Sequence, residues 1–434
     1  MKTLVLVTLL IVASSFSPIG KKCTINGQLF EKEKDTTFVG QIIKEKSDTI
    51  LLFKASKFPI YEEKIPIVNN RFNYSFDFFQ SEAYELVLQD EFNSGNMMVT
   101  TFFCEEGKIY LTLYEKIRNK DFVKGSSLNC AFTEYNHLLK SMFWDEIMKY
   151  SDSLHILNIN NKALSEDYFF LQEKINKTTD IETRKQLHNE QTFQRNTGSM
   201  YTPQARKYHL IQDSIRNKLK VWEFDYIDKN SSLLSYYLFM KDIQETGRSC
   251  CWTEVDADLI NKANLNLKRH NSAFPDHPYY MVIKNAIDGL SNIHDGGRFI
   301  DFTGTDINGK NQSLAKIIKS NKLILLDFWS TWCAPCIKTS RELIPVYEEF
   351  RKQGFEIVGI TQSDGRKDYL KTFIRKEQYP WTNLIDIDGK AGVWDKYNLS
   401  NQGGATFLVN SSGRIIGVNL TAGKVKEKLI ELLK

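Results

Sequence analysis

Three kinds of hydrophobic patterning follow one another along this chain, and each predicts a different architecture. From Cys23 to Lys124, apolar residues come in short runs rich in Val, Ile, Phe and Tyr, separated by turn signals. The runs Thr37–Ile43, Thr49–Ala55, Lys64–Val68, Arg71–Phe78, Ala83–Gln89, Met97–Phe103 and Lys108–Tyr114 predict strands. Asn69-Asn70 and Glu106-Gly107 predict hairpin turns between them. Hairpin-linked strands pack antiparallel, so residues 23–127 are predicted to form a β-sandwich-like N-terminal domain. From Asn129 to His294 the period becomes helical, giving a central α-helical region over 128–295. Leu138, Leu139, Phe143, Ile147 and Met148 share one helix face, and Tyr280, Ile283, Ala286, Ile287 and Leu290 stripe another. Thr202-Pro203 reads as a helix start, a capping hydroxyl followed by a residue whose missing N–H costs nothing there. The charged stretch Lys174–Ser199 reads as a solvated helical hairpin. From Gly296 to Lys434 the pattern is βαβ. Leu323–Phe328 is a nearly continuous apolar run, as a strand buried on both faces requires. A helix to about Gln353, a strand at Glu356–Thr361 and a helix at Lys367–Lys376 follow. A hairpin of Thr406–Val409 with Ile415–Asn419 and a helix over Lys424–Leu433 end the chain. The predicted fold class is multidomain, with a C-terminal α/β domain over 296–434.

The length of 434 residues agrees, being too great for one compact core. A net charge of +4 is nearly neutral, which argues against nucleic acid as a partner. Lys2, the apolar run Leu4–Ala13 and the small residues Ser14, Ser15 and Ser17 fit an export signal, so residues 1–20 are expected to be a signal peptide directing the chain to the periplasm. Lys21 and Lys22 stand where a lipid-attachment box would precede Cys23, so export without a lipid anchor is expected, with a membrane tether if the signal stays uncleaved. No other segment reads as transmembrane.

Cysteine usage then narrows the chemistry. Of seven cysteines, only Cys333 and Cys336 have a spacing with chemical meaning. Cys104 sits in an apolar run and reads as core. Cys250-Cys251 would bridge only with strain, so two thiols are expected there. Cys333-Ala334-Pro335-Cys336 falls where the buried strand turns into a helix. At a helix N-terminus a thiolate at Cys333 is favoured by unpaired N–H groups and the macrodipole, so its pKa should fall below about 8.5. The three-residue step brings Cys336 over Cys333 within one turn, in reach of a disulfide. Half a zinc site is the competing reading, but no second Cys or His pair follows at suitable spacing; a c-type haem motif would need His where Ile337 stands. No metal and no cofactor are expected.

Leu325-Leu326-Asp327-Phe328-Trp329-Ser330-Thr331-Trp332-Cys333-Ala334-Pro335-Cys336 resembles thioredoxin, and is most similar to the exported TlpA/ResA-like thiol–disulfide oxidoreductases. Gly354-Phe355-Glu356-Ile357-Val358-Gly359-Ile360, Pro380-Trp381-Thr382 and Phe407-Leu408-Val409-Asn410 with Gly413 extend the resemblance over 296–434. It implies a thioredoxin fold there. The N-terminal segment, through Phe103, Glu106-Gly107, Val123-Lys124-Gly125-Ser126 and Asn129, resembles a domain of unknown function fused to such modules in Bacteroidetes.

The resemblance implies that Cys333 attacks a substrate disulfide and Cys336 resolves the mixed disulfide. It implies that Asp327 is the buried acid beneath the cysteines, exchanging a proton with Cys336; the bland alternative is a strand-end Asp bonded to backbone. Trp332 is expected on the substrate-docking surface with Gly403, Gly404 and Ala405, while Trp329 reads equally as packing. Two departures stand out. Gly404 occupies the position of the family's proline opposite the disulfide, so a trans or reshaped loop that opens access to the sulfurs is expected. Arg341 replaces a helix-kinking proline, with Pro345 a turn later. The implied partners are exported Cys-containing proteins such as apocytochrome c and a membrane electron donor of the DsbD/CcdA type, because no nicotinamide or flavin fingerprint is visible. A thiol peroxidase and a non-catalytic binding scaffold are the competing readings.

Overall fold

The computed structural model describes residues 20–30, 47–94, 98–114, 121–250, 252–331, 333–363, 367–387, 389–399 and 403–433. The expected strand Thr37–Ile43 and the export signal apart from Gly20 lie outside the described residues, as do Cys251 and Trp332. The chain divides into two compact units, Met1–Asn129 and Cys130–Lys434.

The first unit carries strands β1 (Lys21–Phe30), β2 (Thr49–Lys54), β3 (Tyr61–Pro66), β4 (Arg71–Phe78), β5 (Ala83–Leu88), β6 (Thr100–Phe103), β7 (Gly107–Tyr114) and β8 (Phe122–Lys124), with a short helix α1 (Gln89–Asn93). They form two four-stranded sheets, β4-β1-β7-β8 and β3-β2-β5-β6. One apolar core joins them: Ile25, Leu29, Ile109 and Leu111 come from the first sheet, and Ile50, Leu52, Leu86 and Leu88 from the second. This is the sandwich that the alternating runs predict. One pairing departs from the antiparallel expectation, because β1 runs parallel to β7. No hairpin links those two strands, so nothing in the connection forces them antiparallel. Asn69 and Asn70 take left-handed φ values in the turn closed by the Val68–Arg71 bridge, as that dipeptide favours.

The second unit begins with helices. These are α2 (Ser127–Leu139, which starts in the first unit), α3 (Asp145–Ile159), α4 (Glu166–Lys177), α5 (Ile181–Thr197), α6 (Pro203–Lys229), α7 (Leu233–Ser249), α8 (Ala257–Ala273) and α9 (Tyr279–Asn292). A π-helical segment, Lys140–Trp144, joins α2 to α3. Leu139, Phe143 and Ile147 are buried as the stripe predicts, but Leu138 and Met148 are exposed. Leu138 and Met148 each lie one residue, about 100° of rotation, off the buried row of every fourth residue. The Thr202 hydroxyl caps α6 by accepting from the Ala205 N–H, with Pro203 opening the helix.

Beyond the helices comes a seven-stranded sheet of order β10-β9-β13-β12-β11-β14-β15. Its strands are β9 (Thr303–Asp306), β10 (Asn311–Ser313), β11 (Leu323–Phe328), β12 (Phe355–Ser363), β13 (Thr382–Ile387), β14 (Thr406–Asn410) and β15 (Ile415–Val418). Its helices are α10 (Leu314–Lys319), α11 (Ala334–Phe350), α12 (Lys367–Glu377), α13 (Val393–Lys396) and α14 (Ala422–Leu432). The central strand β11 pairs parallel with β12 and antiparallel with β14. Its alternate residues feed two cores, which is why the run is apolar throughout. Ile324, Leu326 and Phe328 face α10, α13, Trp252 and Ile293. Leu323, Leu325 and Trp329 face α11, α12 and α14.

The helical segment and this sheet share one core. Trp252 and Ile293 pack into it, and the Trp252 indole donates to the Tyr397 carbonyl at 3.0 Å. Gln244 on α7 donates to Asp395 on α13 at 3.0 Å. Gly247 and Gly289 leave the notch that Asn398 fills, since a Cβ on either glycine would come within 2.8 or 2.7 Å of the Asn398 side-chain oxygen.

Candidate active site

The alternation along β11 puts Asp327 on the same face as Leu325 and Trp329, beneath α11. After Phe328 the chain leaves the sheet, with the Trp329 N–H still bonded to the Ile360 carbonyl at 3.0 Å and the Cys333 N–H to the Ser330 carbonyl at 3.0 Å. Cys333 is the N-cap of α11, and its sulfur accepts from the Cys336 N–H at 3.3 Å. That contact satisfies one of the four donors every helix start leaves over, and it aims the positive end of α11 at this sulfur. Pro335 occupies the first turn, where its missing N–H has no cost. Cys333 and Cys336 form a disulfide with Cα atoms 5.3 Å apart, and both are partly accessible.

Asp327 is 2% exposed, with its carboxyl entirely inside the protein. Burial pushes it up to about 6, and the hydrogen bond from Ser340 opposes that shift. The Ser340 hydroxyl lies 2.7 Å from the Asp327 Oδ2 and 3.1 Å from the Cys336 carbonyl oxygen. Sequence reasoning passed over Ser340, yet its signal was available: four residues after Cys336 on a helix means one turn above it on the same side. Tyr379 was missed as well. Its hydroxyl is buried without a hydrogen bond of good geometry, and burial, then Glu377, push its pKa up to about 12 while Ser340 opposes. Glu377 in turn holds Arg341 through two contacts, at 2.6 and 2.8 Å. The residue replacing the family's helix proline is therefore an ion-pair anchor between α11 and α12, and Pro345 lies inside α11.

Trp329 is fully buried, stacked on Phe373 and edge-on to Tyr379. It is packing. Gly403, Gly404 and Ala405 lie along the end of β11, where the Ala405 carbonyl accepts from the Phe328 N–H at 2.9 Å. The Gly403–Gly404 bond is trans. A Cβ at Gly404 would stand 1.9 Å from the Phe328 carbonyl oxygen and 3.0 Å from the Trp329 Cα, so the absent side chain lets two backbones touch. Among the described residues, no cluster of three or more His, Cys, Asp or Glu could hold a metal ion, and no helix is long and apolar enough to cross a membrane.

The comparisons with known proteins fall on this C-terminal region. The profile of the AhpC/TSA family matches residues 296–418. The chain is 29% identical over 151 residues to the thiol-disulfide oxidoreductase ResA of Bacillus subtilis, covering 35% of this chain and 80% of that protein. It is 29% identical over 117 residues to the thiol:disulfide interchange protein DsbE of Allochromatium vinosum, covering 26% of this chain and 60% of that protein. A solved thiol:disulfide interchange protein from Bacteroides sp. is 25% identical, with a TM-score of 0.29, over 32% of this chain and 90% of that one. The C-terminal region is thus an AhpC/TSA-type thioredoxin-like domain with ResA-like relatives.

Proposed function

We propose that this chain is an exported thiol–disulfide oxidoreductase that reduces disulfides of periplasmic Cys-containing proteins through Cys333 and Cys336. The observation that carries this reading is the Cys333–Cys336 disulfide at the start of α11, the Cys333 sulfur accepting an N–H and Asp327 buried below. In the reduced protein the Cys333 thiolate, stabilised by the helix terminus, attacks a client disulfide. One client sulfur leaves as a thiolate, which takes a proton from water, and the other stays bonded to Cys333. Asp327 then takes the proton of Cys336, and the Cys336 thiolate attacks the Cys333 sulfur. The Cys333–Cys336 disulfide re-forms and the second client thiol departs. Two electrons have passed to the client, so an electron donor on the membrane, of the DsbD/CcdA type, must restore the dithiol. Apocytochrome c is a client of the kind that the resemblance to TlpA/ResA-like proteins implies. Trp332, Gly403, Gly404 and Ala405 are the residues we assign to client contact.

Insulin-disulfide reduction under a thiol reductant tests the reading, comparing wild type with Cys333→Ser. We expect the variant to fall to the rate of reductant alone. Equal rates would leave the domain as a binding scaffold.

A further inference from the structure

Serines inside helices commonly bond back to the carbonyl four residues earlier, and Ser340 does so towards Cys336. What sets Ser340 apart is its second acceptor. The contact to Asp327 is the shorter of the two, 2.7 against 3.1 Å, and the serine is completely buried. A hydroxyl has one proton, so it can serve only one of these oxygens at a time. Among the described residues, Ser340 is the only hydrogen-bond donor to the Asp327 side chain. The strands beside Asp327 present Gly359 and Thr406 in register, neither of them ionisable. The other titratable groups nearby are the dithiol itself and Tyr379, with the Glu377–Arg341 pair behind it.

We propose that Ser340 is a positioning residue whose single proton moves between the Asp327 carboxylate and the Cys336 carbonyl, holding Asp327 ionised until Cys336 must release its proton. The inference rests on the proton role of Asp327 given above. Before resolution the serine donates to the carboxylate, since a charged acceptor is the stronger one. When Cys336 passes its proton to Asp327, the carboxyl becomes neutral and the serine turns to the Cys336 carbonyl. The Cys336 thiolate then displaces the client sulfur from Cys333, and Asp327 returns its proton to the departing client thiolate. The serine thus keeps the base available near neutral pH and gives it up at the moment of transfer.

The test uses the full chain. Single-turnover resolution of a Cys333 mixed disulfide is followed from pH 5 to 9, alongside carbon NMR titration of the Asp327 carboxyl. Wild type should turn at about pH 6 in both. Ser340→Ala should move both inflections up by about one to two pH units, the worth of a hydrogen bond to a charged group. Ser340→Thr, which keeps the hydroxyl, should restore them. Ser340→Cys, close in size and a weaker donor, should also shift them upward and serves if the alanine variant does not fold. Inflections unmoved in Ser340→Ala, while Asp327→Asn abolishes the kinetic one, would overturn the role of Ser340 alone. A kinetic inflection at about pH 6 that survives Asp327→Asn would overturn the Asp327 reading, and the serine's role with it.

Discussion

A carboxyl group inside an apolar face costs stability, and Asp327 shows how much. Its pKa rises from an ordinary 3.8 to about 6 because burial disfavours the charge. Well below pH 3.8 the group is protonated in both folded and unfolded chains, and the penalty is absent. As pH rises towards 6 the unfolded chain ionises first, so stability falls across that window by about 3 kcal/mol and then levels. Asp327→Asn is therefore expected to be the more stable protein at pH 7 and to lose the downward slope between pH 4 and 6 in urea titrations. A variant less stable than wild type at pH 7 would mean that the carboxylate is solvated or paired. A residue kept at such a cost has a use, and proton exchange with Cys336 is the one we assign. At Gly404 the constraint is steric. Gly404→Ala would drive a Cβ into the Phe328 carbonyl oxygen, so the end of β11 and the Trp329 backbone must move. We expect a loss of about 1–3 kcal/mol in thermal or urea melts, with slower insulin reduction.

Elements were legible in the sequence wherever burial sets the pattern. Leu323–Phe328 reads as a two-faced strand because apolar cores lie on both sides of it. The Cys333 and Cys336 pair is legible for a similar reason, since its spacing and its place after that strand follow from the helix start. Strands β9, β10 and β13 were not read out. Thr303–Asp306 and Asn311–Ser313 have almost no apolar residues and exist by pairing at the edge of the sheet, through β9 and β13. Ser340 and Tyr379 were passed over because each is ordinary on its own; only the packing of α11 over β11 gives them a common neighbour. The notch that seats Asn398 was equally silent, being two glycines from separate helices. Gly289→Ala is an informative change there. Alanine is better than glycine in a helix by about 1 kcal/mol, yet its Cβ would meet the Asn398 side chain and the Lys396 carbonyl, both at 2.7 Å. Backbone cannot yield cheaply, so we expect net destabilisation, read as a lower melting temperature; a higher one would mean that α9 slides to relieve the contact.

The molecule as a whole keeps its chemistry in its second unit, Cys130–Lys434. A fragment beginning at Cys130 is expected to reduce insulin as the full chain does. One beginning at Gly296 would lack Trp252 and Ile293, which fill the core under β11, and should be much less stable. Equal stability of the two fragments in urea would show that the helical segment adds nothing to that core. The helical segment gave no sign of this role in sequence, because a single tryptophan in a loop has no periodicity to betray it. The central claim is that Cys333 and Cys336 form a reducing couple, and its reduction potential tests that most directly. Equilibrating the full chain in graded thiol buffers should give a value near the ~−270 mV of thioredoxin, or lower. A value near ~−120 mV would make the protein an oxidant, and a couple that forms no disulfide at any poise would contradict the account outright.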